Sequence, residues 1–259
     1  MKRLFLLLCV VFWLAEGISA ATVQAQTVKI GIADWPPYVE KEHIAFGLVP
    51  EIVQLAFLQQ DVEVEFVVFD SWSACTDALN AGTIDASAPY TPTERRRTTM
   101  LFSERPIIEL TTAVFYLRDA AERIPDADLF ADQKAFTGLI IGGTRGYFYE
   151  DLLKDANIIY ATEPYVNFQK LYLDKVDLVI ENELIGWHIL SQLFPYSMSR
   201  FDELRSSKAT HGGHLVVNKK NPEGAGLLKM FDKGLQVLQQ NGTYADVIGK
   251  YKEGFKRLF

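Results

Sequence analysis

The sequence predicts an α/β fold in which parallel strands are covered by helices. Strand and helix patterns alternate in the first third of the chain, and the middle repeats this order. Near the C-terminus one more strand precedes a long amphipathic helix. Parallel strands need helical crossovers, since a tight hairpin cannot join them. These three observations favour a sheet with helices on its faces.

The first third of the chain carries the clearest periodicity. Apolar residues alternate with other residues, or form a short run, in three predicted strands, at 28–32, 62–66 and 84–86. Between them, Pro50 stands in the first turn of a predicted helix that runs to Gln59. Asp70 or Ser71 caps a second predicted helix, which Gly82 ends. A turn with Trp35 follows the first strand.

The middle and the end of the chain repeat these patterns. Strands are predicted at 139–141, 176–180 and 214–217, and helices at 147–153, 165–173 and from about 228 to 240. Residues 79–86 and 171–178 share Leu, apolar and Asp positions, a weak similarity that agrees with two related halves. Residues 118–136 are polar and aperiodic, so we expect a surface excursion. Two lobes without a flexible linker imply a hinge of short crossing strands.

The N-terminus has the order of a secretory signal peptide. Lys2 and Arg3 precede an apolar run at 4–14, and small residues follow. We expect cleavage after Ala20 or, with the better small residues at the key positions, after Ala25. Residues 1–25 are therefore predicted to be a signal peptide, and the mature protein is predicted to be periplasmic.

Composition narrows the function classes. The full chain has 26 basic and 33 acidic residues. Removal of the predicted signal peptide, which contains Lys2, Arg3 and Glu16, leaves 24 basic and 32 acidic residues and a net charge of −8. This argues against nucleic acid or an anionic membrane as a partner. Cys75 is the one cysteine outside the predicted signal, on an apolar helix face, so no internal disulfide is expected.

Three stretches of the chain resemble the family 3 bacterial extracellular solute-binding proteins. They cover 28–38, then 79–103, and then 241–251. The resemblance implies the two-lobed, type II periplasmic-binding-protein-like architecture, with a hinge of two crossing strands. Lobe 1 would combine 26–108 with 212–259, and lobe 2 would be 109–211. The ligand would lie in the cleft between them, at the strand ends.

The resemblance also implies a set of ligand-binding residues. They are Asp34, Trp35, Tyr38, Tyr90, Thr91, Arg96, Arg145, Gly146, Tyr147, Glu181 and Asn182. In the family an aromatic side chain packs on the ligand, and Trp35 stands at that position. A hydroxyl and an arginine hold the ligand carboxylate, and these correspond to Thr91 and Arg96. A planar guanidinium suits this task because it can donate two parallel hydrogen bonds.

Two alternatives stay open around those positions. Arg95, Arg96 and Arg97 are consecutive, so Arg95 could be the arginine of the cleft, and at least two of the three should be solvated. Trp35 could instead be a core aromatic beside its Pro-Pro turn, although an aromatic in a polar, proline-fixed loop favours a ligand contact.

The predicted lobe 2 departs from the pattern of amino-acid receptors. Gly146-Tyr147-Phe148 stands where those receptors have Gly-Thr-Thr at a helix start. The helix could still offer N–H groups to an anion. Asn182 stands where they have the Asp that holds the α-amino group, and a neutral amide is a poorer partner for an ammonium. Either the ligand lacks an α-amino group, or Glu181 or Glu183 replaces the Asp.

Other functions were weighed on the same residues. His211 and His214 could ligate a metal, but no third ligand is evident nearby, so neither a metal nor a cofactor is predicted. An enzyme on this scaffold, a small-acid dehydratase or a lytic enzyme, would need a carboxylate of raised pKa in the cleft, with Glu181 and Glu183 as candidates. We expect a monomeric binding protein that feeds an ABC-type permease or, alternatively, a membrane sensor.

Overall fold

A computed structural model describes residues 26–255, and the predicted signal peptide lies outside them. The strands are Gln26–Ala33 (β1), Val62–Phe69 (β2), Ala86–Tyr90 (β3), Met100–Phe102 (β4), Ile108–Leu117 (β5), Ile141–Thr144 (β6), Ile158–Ala161 (β7), Leu178–Asn182 (β8), Phe201–Glu203 (β9) and Ala209–Asn218 (β10). The helices are Leu48–Leu58 (α1), Trp72–Ala81 (α2), Glu94–Thr99 (α3), Pro164–Tyr172 (α4), Glu183–Leu193 (α5), Gly224–Gln240 (α6) and Thr243–Phe255 (α7). No helix in this described range is long and apolar enough to cross a membrane.

The strands form one continuous path in the order β2-β1-β3-β10-β5-β8-β6-β7, with β4 beside β10 and β9 beside β5. Strand β1 pairs in parallel with β2 and β3, and β6 pairs in parallel with β7 and β8. The two parallel groups each have helices on their faces. The predicted α/β class is confirmed.

Strand β10 crosses from one lobe to the other. Its first half, from Ala209 to Gly213, pairs antiparallel with β5, and its second half pairs with β3 and β4. The incoming segment runs beside it, since the Ser103 N–H donates to Leu215 O at 2.9 Å and the Ile107 N–H to Gly213 O at 2.7 Å. The predicted domain boundaries at 108/109 and 211/212 lie beside this exchange of partners.

The apolar core of lobe 1 also includes Leu110 and Ile185 of lobe 2, and lobe 2 has two apolar layers of its own. In lobe 1, α1 and α6 pack together on the sheet, with the rings of Phe57 and Phe231 5.7 Å apart. The two helices approach so closely that a Cβ on Gly234 would meet Ala56 O at 1.8 Å. In lobe 2 a layer around Phe168 fills one face of the sheet, and a layer around Tyr149 fills the other.

Local signals fixed several elements as predicted. The Ser71 hydroxyl accepts a hydrogen bond from the Ala74 N–H and caps α2, which ends at Gly82 with a φ of 72°. The expected surface excursion at 118–136 is only partly at the surface. Two short 3₁₀ turns hold it, and it buries Leu129 and Phe136 in lobe 2.

The helix predicted at 147–153 is wrong. Residues Phe148–Asp151 form a single 3₁₀ turn, preceded by Gly146 in the left-handed region with a φ of 81°. The Tyr149 ring is fully buried, and its hydroxyl accepts the Thr144 N–H at 2.6 Å. This bond ties the segment down to β6 and keeps it from continuing as an α-helix.

Candidate ligand-binding site

A cavity lies between the lobes, at the crossing strands and the strand ends. Eight of the eleven predicted residues line it: Trp35, Tyr90, Thr91, Arg96, Gly146, Tyr147, Glu181 and Asn182. The cavity has a volume of about 60 Å³, whereas a single water needs only about 10–15 Å³ on the same measure. The cavity therefore admits a small solute and not a polymer.

Arg96 lies in the cavity wall and bridges the lobes. It sits on α3, whose first turn is capped by the Thr93 hydroxyl. Its Nη1 donates to Thr91 O at 2.7 Å, and its Nη2 donates to Gly146 O at 2.6 Å on the other lobe. The guanidinium carbon is 5.1 Å from the centre of the Tyr90 ring. The side chain is thus held in place on three sides.

The charge of Arg96 is available to a ligand. Burial lowers the pKa of Arg96, but a guanidinium stays protonated at neutral pH. Among residues 26–255, no carboxylate oxygen lies within 4 Å of it. Two of its five N–H groups serve the two carbonyls, which leaves donors for an anionic group.

The neighbouring arginines point elsewhere. Arg95 is exposed and pairs with Asp151 at 2.9 Å and with Glu150 at 3.6 Å, both on lobe 2. Arg97 lies over the Phe102 ring, at 5.2 Å from its centre. Of the three consecutive arginines, only Arg96 lines the cavity.

Aromatic rings form the body of the wall. The Trp35 indole is edge-on to Trp72, with centroids 6.2 Å apart, and Trp72 is edge-on to Tyr90 at 5.6 Å. The Trp35 Nε1 donates to the Tyr147 hydroxyl of lobe 2 at 2.8 Å. Together with the Arg95 ion pairs and the Arg96 bond to Gly146, this contact describes a closed cleft.

The backbone N–H expected to bind an anion is occupied. The Gly146 N–H donates to the Glu150 carboxylate at 2.9 Å, and the Gly146 carbonyl accepts from Arg96. No α-helix begins here, so the predicted helix-start anion site is replaced by Arg96 itself.

Glu181 is a buried carboxyl in the cavity wall. Its side chain is about 1% exposed. One oxygen, Oε1, accepts the N–H of Asn182 at 2.7 Å, and Oε2 is buried without a hydrogen-bond partner. Burial raises the pKa of Glu181 to about 8, although the Asn182 N–H opposes the shift. At neutral pH the empty site therefore holds a mostly protonated carboxyl.

Asn182 and Glu183 are engaged in the structure of lobe 2. The Asn182 Oδ1 accepts the N–H groups of Leu184 and Ile185 and so caps α5. The Glu183 carboxylate accepts from Lys208 at 2.8 Å. Of the groups considered for an ammonium, Glu181 alone presents an unpartnered oxygen in the cavity.

Three predicted residues lie outside the cavity wall. Asp34 is exposed, and its carboxylate accepts the Lys41 N–H at 3.0 Å. Arg145 is exposed and lies 5.6 Å from the centre of the Tyr160 ring. Tyr38 lies in a separate crevice beside Glu183. Burial raises the pKa of Tyr38 to about 12, with the Asn182 side chain opposing.

Sequence reasoning missed several lining residues. They are Trp72, Pro89, Leu110, Thr112, Phe148, Tyr149 and His211. Leu110 and Thr112 belong to β5, a strand that was not predicted. His211 was weighed only as a metal ligand, and no group of three or more His, Cys, Asp or Glu residues in the described part of the chain could hold a metal ion.

The fold and the cleft define a two-lobed α/β protein of the solute-binding class. The model of the bacterial extracellular solute-binding proteins, family 3, matches residues 28–254, and the chain belongs to this family. No curated protein matches the chain.

Solved structures share the fold over most of their length. A histidine kinase sensor domain with similarity to periplasmic binding proteins has a TM-score of 0.74 at 20% identity, over 87% of this chain and 96% of that one. An ancestral arginine-binding protein bound to arginine has a TM-score of 0.70 at 21% identity, over 86% and 97%. AncCDT-1, an ancestral amino-acid-binding protein and precursor of cyclohexadienyl dehydratase, has a TM-score of 0.66 at 19% identity, over 86% and 94%. The expected type II two-lobed architecture is confirmed, and at these identities the likeness shows the fold alone.

Proposed function

We propose that this protein captures a small carboxylate-bearing solute, an amino acid or a related organic acid, in the periplasm by closing its two lobes. The single observation that carries the proposal is the placement of Arg96. It is a fixed cation in a small aromatic cavity, bonded to backbone carbonyls of both lobes and without a carboxylate partner within 4 Å among the described residues. A buried unpaired charge is costly, and a ligand carboxylate would remove that cost.

Lobe closure accounts for the capture. Arg96, Trp35 and Arg95 stand on lobe 1, and each contacts lobe 2. A ligand that touches both lobes binds the closed state better than the open one and shifts the population toward it. Asp34, Tyr38 and Arg145 remain candidates for contacts made in a more open state.

Two variants of adjacent arginines test this function. A thermal-shift screen of amino acids and organic acids should find a ligand, which at 100 times its dissociation constant adds about 2.7 kcal/mol of stability. Arg96→Ala should lose that shift, because the ligand carboxylate would lose a charged, bidentate partner. The matched control Arg97→Ala should keep it. A ligand that binds Arg96→Ala as tightly as the wild type would refute the assignment.

The captured solute would pass to a partner in the membrane. We propose an ABC-type permease as that partner, with a ligand-sensing receptor as the alternative and a monomer as the working form. Uptake of the radiolabelled ligand by cells with and without the protein distinguishes the two partners, since a sensor would leave uptake unchanged.

Glu181 supports a second candidate function, that of a dehydratase. A buried, mostly protonated carboxyl in a cleft can act as a general acid. In a dehydratase it would protonate a leaving hydroxyl group, which departs as water while the neighbouring carbon loses a proton or CO2 and the bonding pair left behind forms the new C=C bond. A buried carboxyl is equally suited to receive a ligand ammonium, and the family consists mainly of binding proteins, so we place binding first. Release of water from a cyclic hydroxy acid, abolished in Glu181→Gln, would put the enzyme first.

A further inference from the structure

One histidine of the cavity wall is explained neither by the fold nor by the contacts proposed so far. The His211 Nε2 is buried and has no hydrogen-bond partner among the described residues. Buried polar atoms nearly always have a partner, because an unpaired one has lost its hydrogen bonds to water without replacement. The imidazole lines the same cavity as Arg96 and Glu181.

The ring of His211 is held in a defined orientation. It packs against Phe148 of lobe 2, with ring centroids 4.1 Å apart. Its backbone is fixed by the ladder of β10 and β5, in which His211 stands opposite Leu110. Two residues further on, at Gly213, β10 ends its pairing with β5. The side chain is therefore fixed on the crossing strand, in the wall of the cavity.

The second histidine of this strand behaves differently. His214 Nδ1 lies 2.9 Å from Ser103 O and 3.3 Å from the Ser103 hydroxyl, and this ring is outside the cavity wall. The structural partner of His214 explains its presence. The Nε2 of His211 has no such partner among residues 26–255.

We infer that His211 determines ligand specificity, with Nε2 hydrogen-bonded to a polar heteroatom at the hinge end of the ligand. This inference rests on the proposed capture of a small carboxylate-bearing solute. It adds that the ligand carries a second polar group, such as a hydroxyl or an amide, on the side chain that points away from the carboxylate at Arg96.

The chemistry of the ring fits an uncharged hydrogen bond. Burial lowers the pKa of His211, and Glu109 opposes this only in part, so the imidazole is neutral at pH 7. A neutral Nε2 donates or accepts according to its tautomer. A ligand with an aliphatic end of the same shape would leave this atom unpaired, which is the arrangement that gives a site its strongest discrimination.

Pairs of amino acids with matched shapes test the inference by calorimetry. We name L-threonine against L-valine, and L-asparagine against L-leucine, as probes. For the pair that fits the cavity, the polar member should bind the wild type about 10 to 100 times more tightly.

Three variants separate the hydrogen bond from the shape of the ring. His211→Phe keeps a ring against Phe148 and should reduce the preference to a few-fold or less. His211→Gln places an amide near the position of Nε2 and should restore much of it. His214→Gln is the matched control, and its preference should equal that of the wild type.

The outcomes distinguish this inference from the proposed function. If neither a member of the panel nor an organic acid of the thermal-shift screen binds the wild type, both are overturned. If only an organic acid binds, its analogues with and without a hydroxyl group take the place of the amino-acid pairs. If amino acids bind but the polar and apolar members bind equally, or if His211→Phe keeps the preference, only the inference on His211 is overturned. The melting temperature of the empty His211→Phe protein should not fall, because the variant removes an unpaired polar atom.

Discussion

An amino-bearing ligand should release a proton from Glu181 when it binds. With the pKa of Glu181 raised to about 8 by burial, the carboxyl of the empty protein is roughly nine-tenths protonated at pH 7. A ligand ammonium beside the unpartnered Oε2 would lower that pKa, since an opposite charge favours the ionised form. The bound complex would then hold an ion pair in place of a neutral carboxyl.

The expected magnitudes follow from the titration. At pH 7 about 0.9 proton should leave for each ligand bound, and affinity should fall about fivefold from pH 8 to 7 and about ninefold from pH 7 to 6. The titratable groups that interact with Glu181 include Tyr147 and Tyr149, whose pKa values burial raises well above the ordinary tyrosine range. Arg96 lines the same cavity. The two tyrosines stay neutral and Arg96 stays charged over this pH range. His211, whose pKa is lowered, stays neutral at and above pH 7.

Calorimetry in two buffers of different ionisation enthalpy measures this release directly. The probe is the L-amino acid that binds most tightly in the thermal-shift screen, together with its analogue lacking the α-amino group. Glu181→Gln should weaken the amino acid by about 10- to 100-fold and abolish proton release, because a neutral amide cannot pair with the ammonium. The analogue should show little change in either measurement.

Binding without proton release identifies a ligand that lacks the ammonium group. If Glu181 stays protonated beside an organic acid, no proton is released, and affinity falls as pH rises above 8 because the new charge repels the anion. Tight binding of an amino acid with no proton release, unchanged in Glu181→Gln, would refute the assignment of the ammonium to Glu181.

Three further predictions concern closure, the cleft edge and the cap of α5. Saturating ligand should reduce the radius of gyration in small-angle scattering, and an unchanged profile would contradict lobe closure. Arg95→Ala should weaken binding only a few-fold, and less at high salt, because its ion pairs with Asp151 and Glu150 are exposed; a loss as large as that of Arg96→Ala would show that Arg95 contacts the ligand. Asn182→Asp should keep the cap of α5, since Asp caps as well as Asn. It should also shift preference toward the amino acid over its analogue. Paired titrations measure this preference, and an unchanged value would contradict the prediction.

Glu181 should also make the empty protein sensitive to pH. Its pKa in the folded state is about 8, above the ordinary 4.5, so the folded state binds the proton more tightly. Stability should therefore fall as pH rises from about 4.5 and level off above 8. At pH 7 the cost is at most about 3 kcal/mol, and Glu181→Gln should recover part of it as a higher melting temperature. A variant that melts lower at pH 8 than the wild type would contradict this account.

The sequence predicted those parts of the fold that depend on local patterns. The alternation in β1 and β2 and the cap and stop of α2 at Ser71 and Gly82 are visible residue by residue. Strand β5 was missed, because its residues are apolar at most positions and it is placed by pairing with β8 and β10. Pairing with distant strands produces no sequence pattern of fixed spacing.

The cavity residues likewise divide into those that a sequence motif predicts and those that depend on distant contacts. Arg96 was predicted through the motif of its family. Of the three consecutive arginines it is the one that lines the cavity, since Arg95 pairs with Asp151 and Arg97 lies over the Phe102 ring. The turn at Gly146 was misjudged, since the anchor that shapes it is a bond between Tyr149 and Thr144. His211 could not be recognised, because its position opposite Leu110 follows only from the strand that was missed.

The two candidate functions use the same carboxyl in opposite protonation states, and this makes them separable. An ammonium needs Glu181 ionised in the complex, so binding of an amino acid should strengthen from pH 6 to pH 8. A general acid needs Glu181 protonated in the complex, so dehydration should proceed at pH 6 and decline above pH 8. Arg96 would hold a carboxylate in either case and stay charged across this range, so it cannot produce the difference. Affinity and turnover measured against pH on one protein therefore assign the role of Glu181, and affinity for the amino acid that weakens as pH rises from 6 to 8 would exclude the ion pair on which we base an amino-acid ligand.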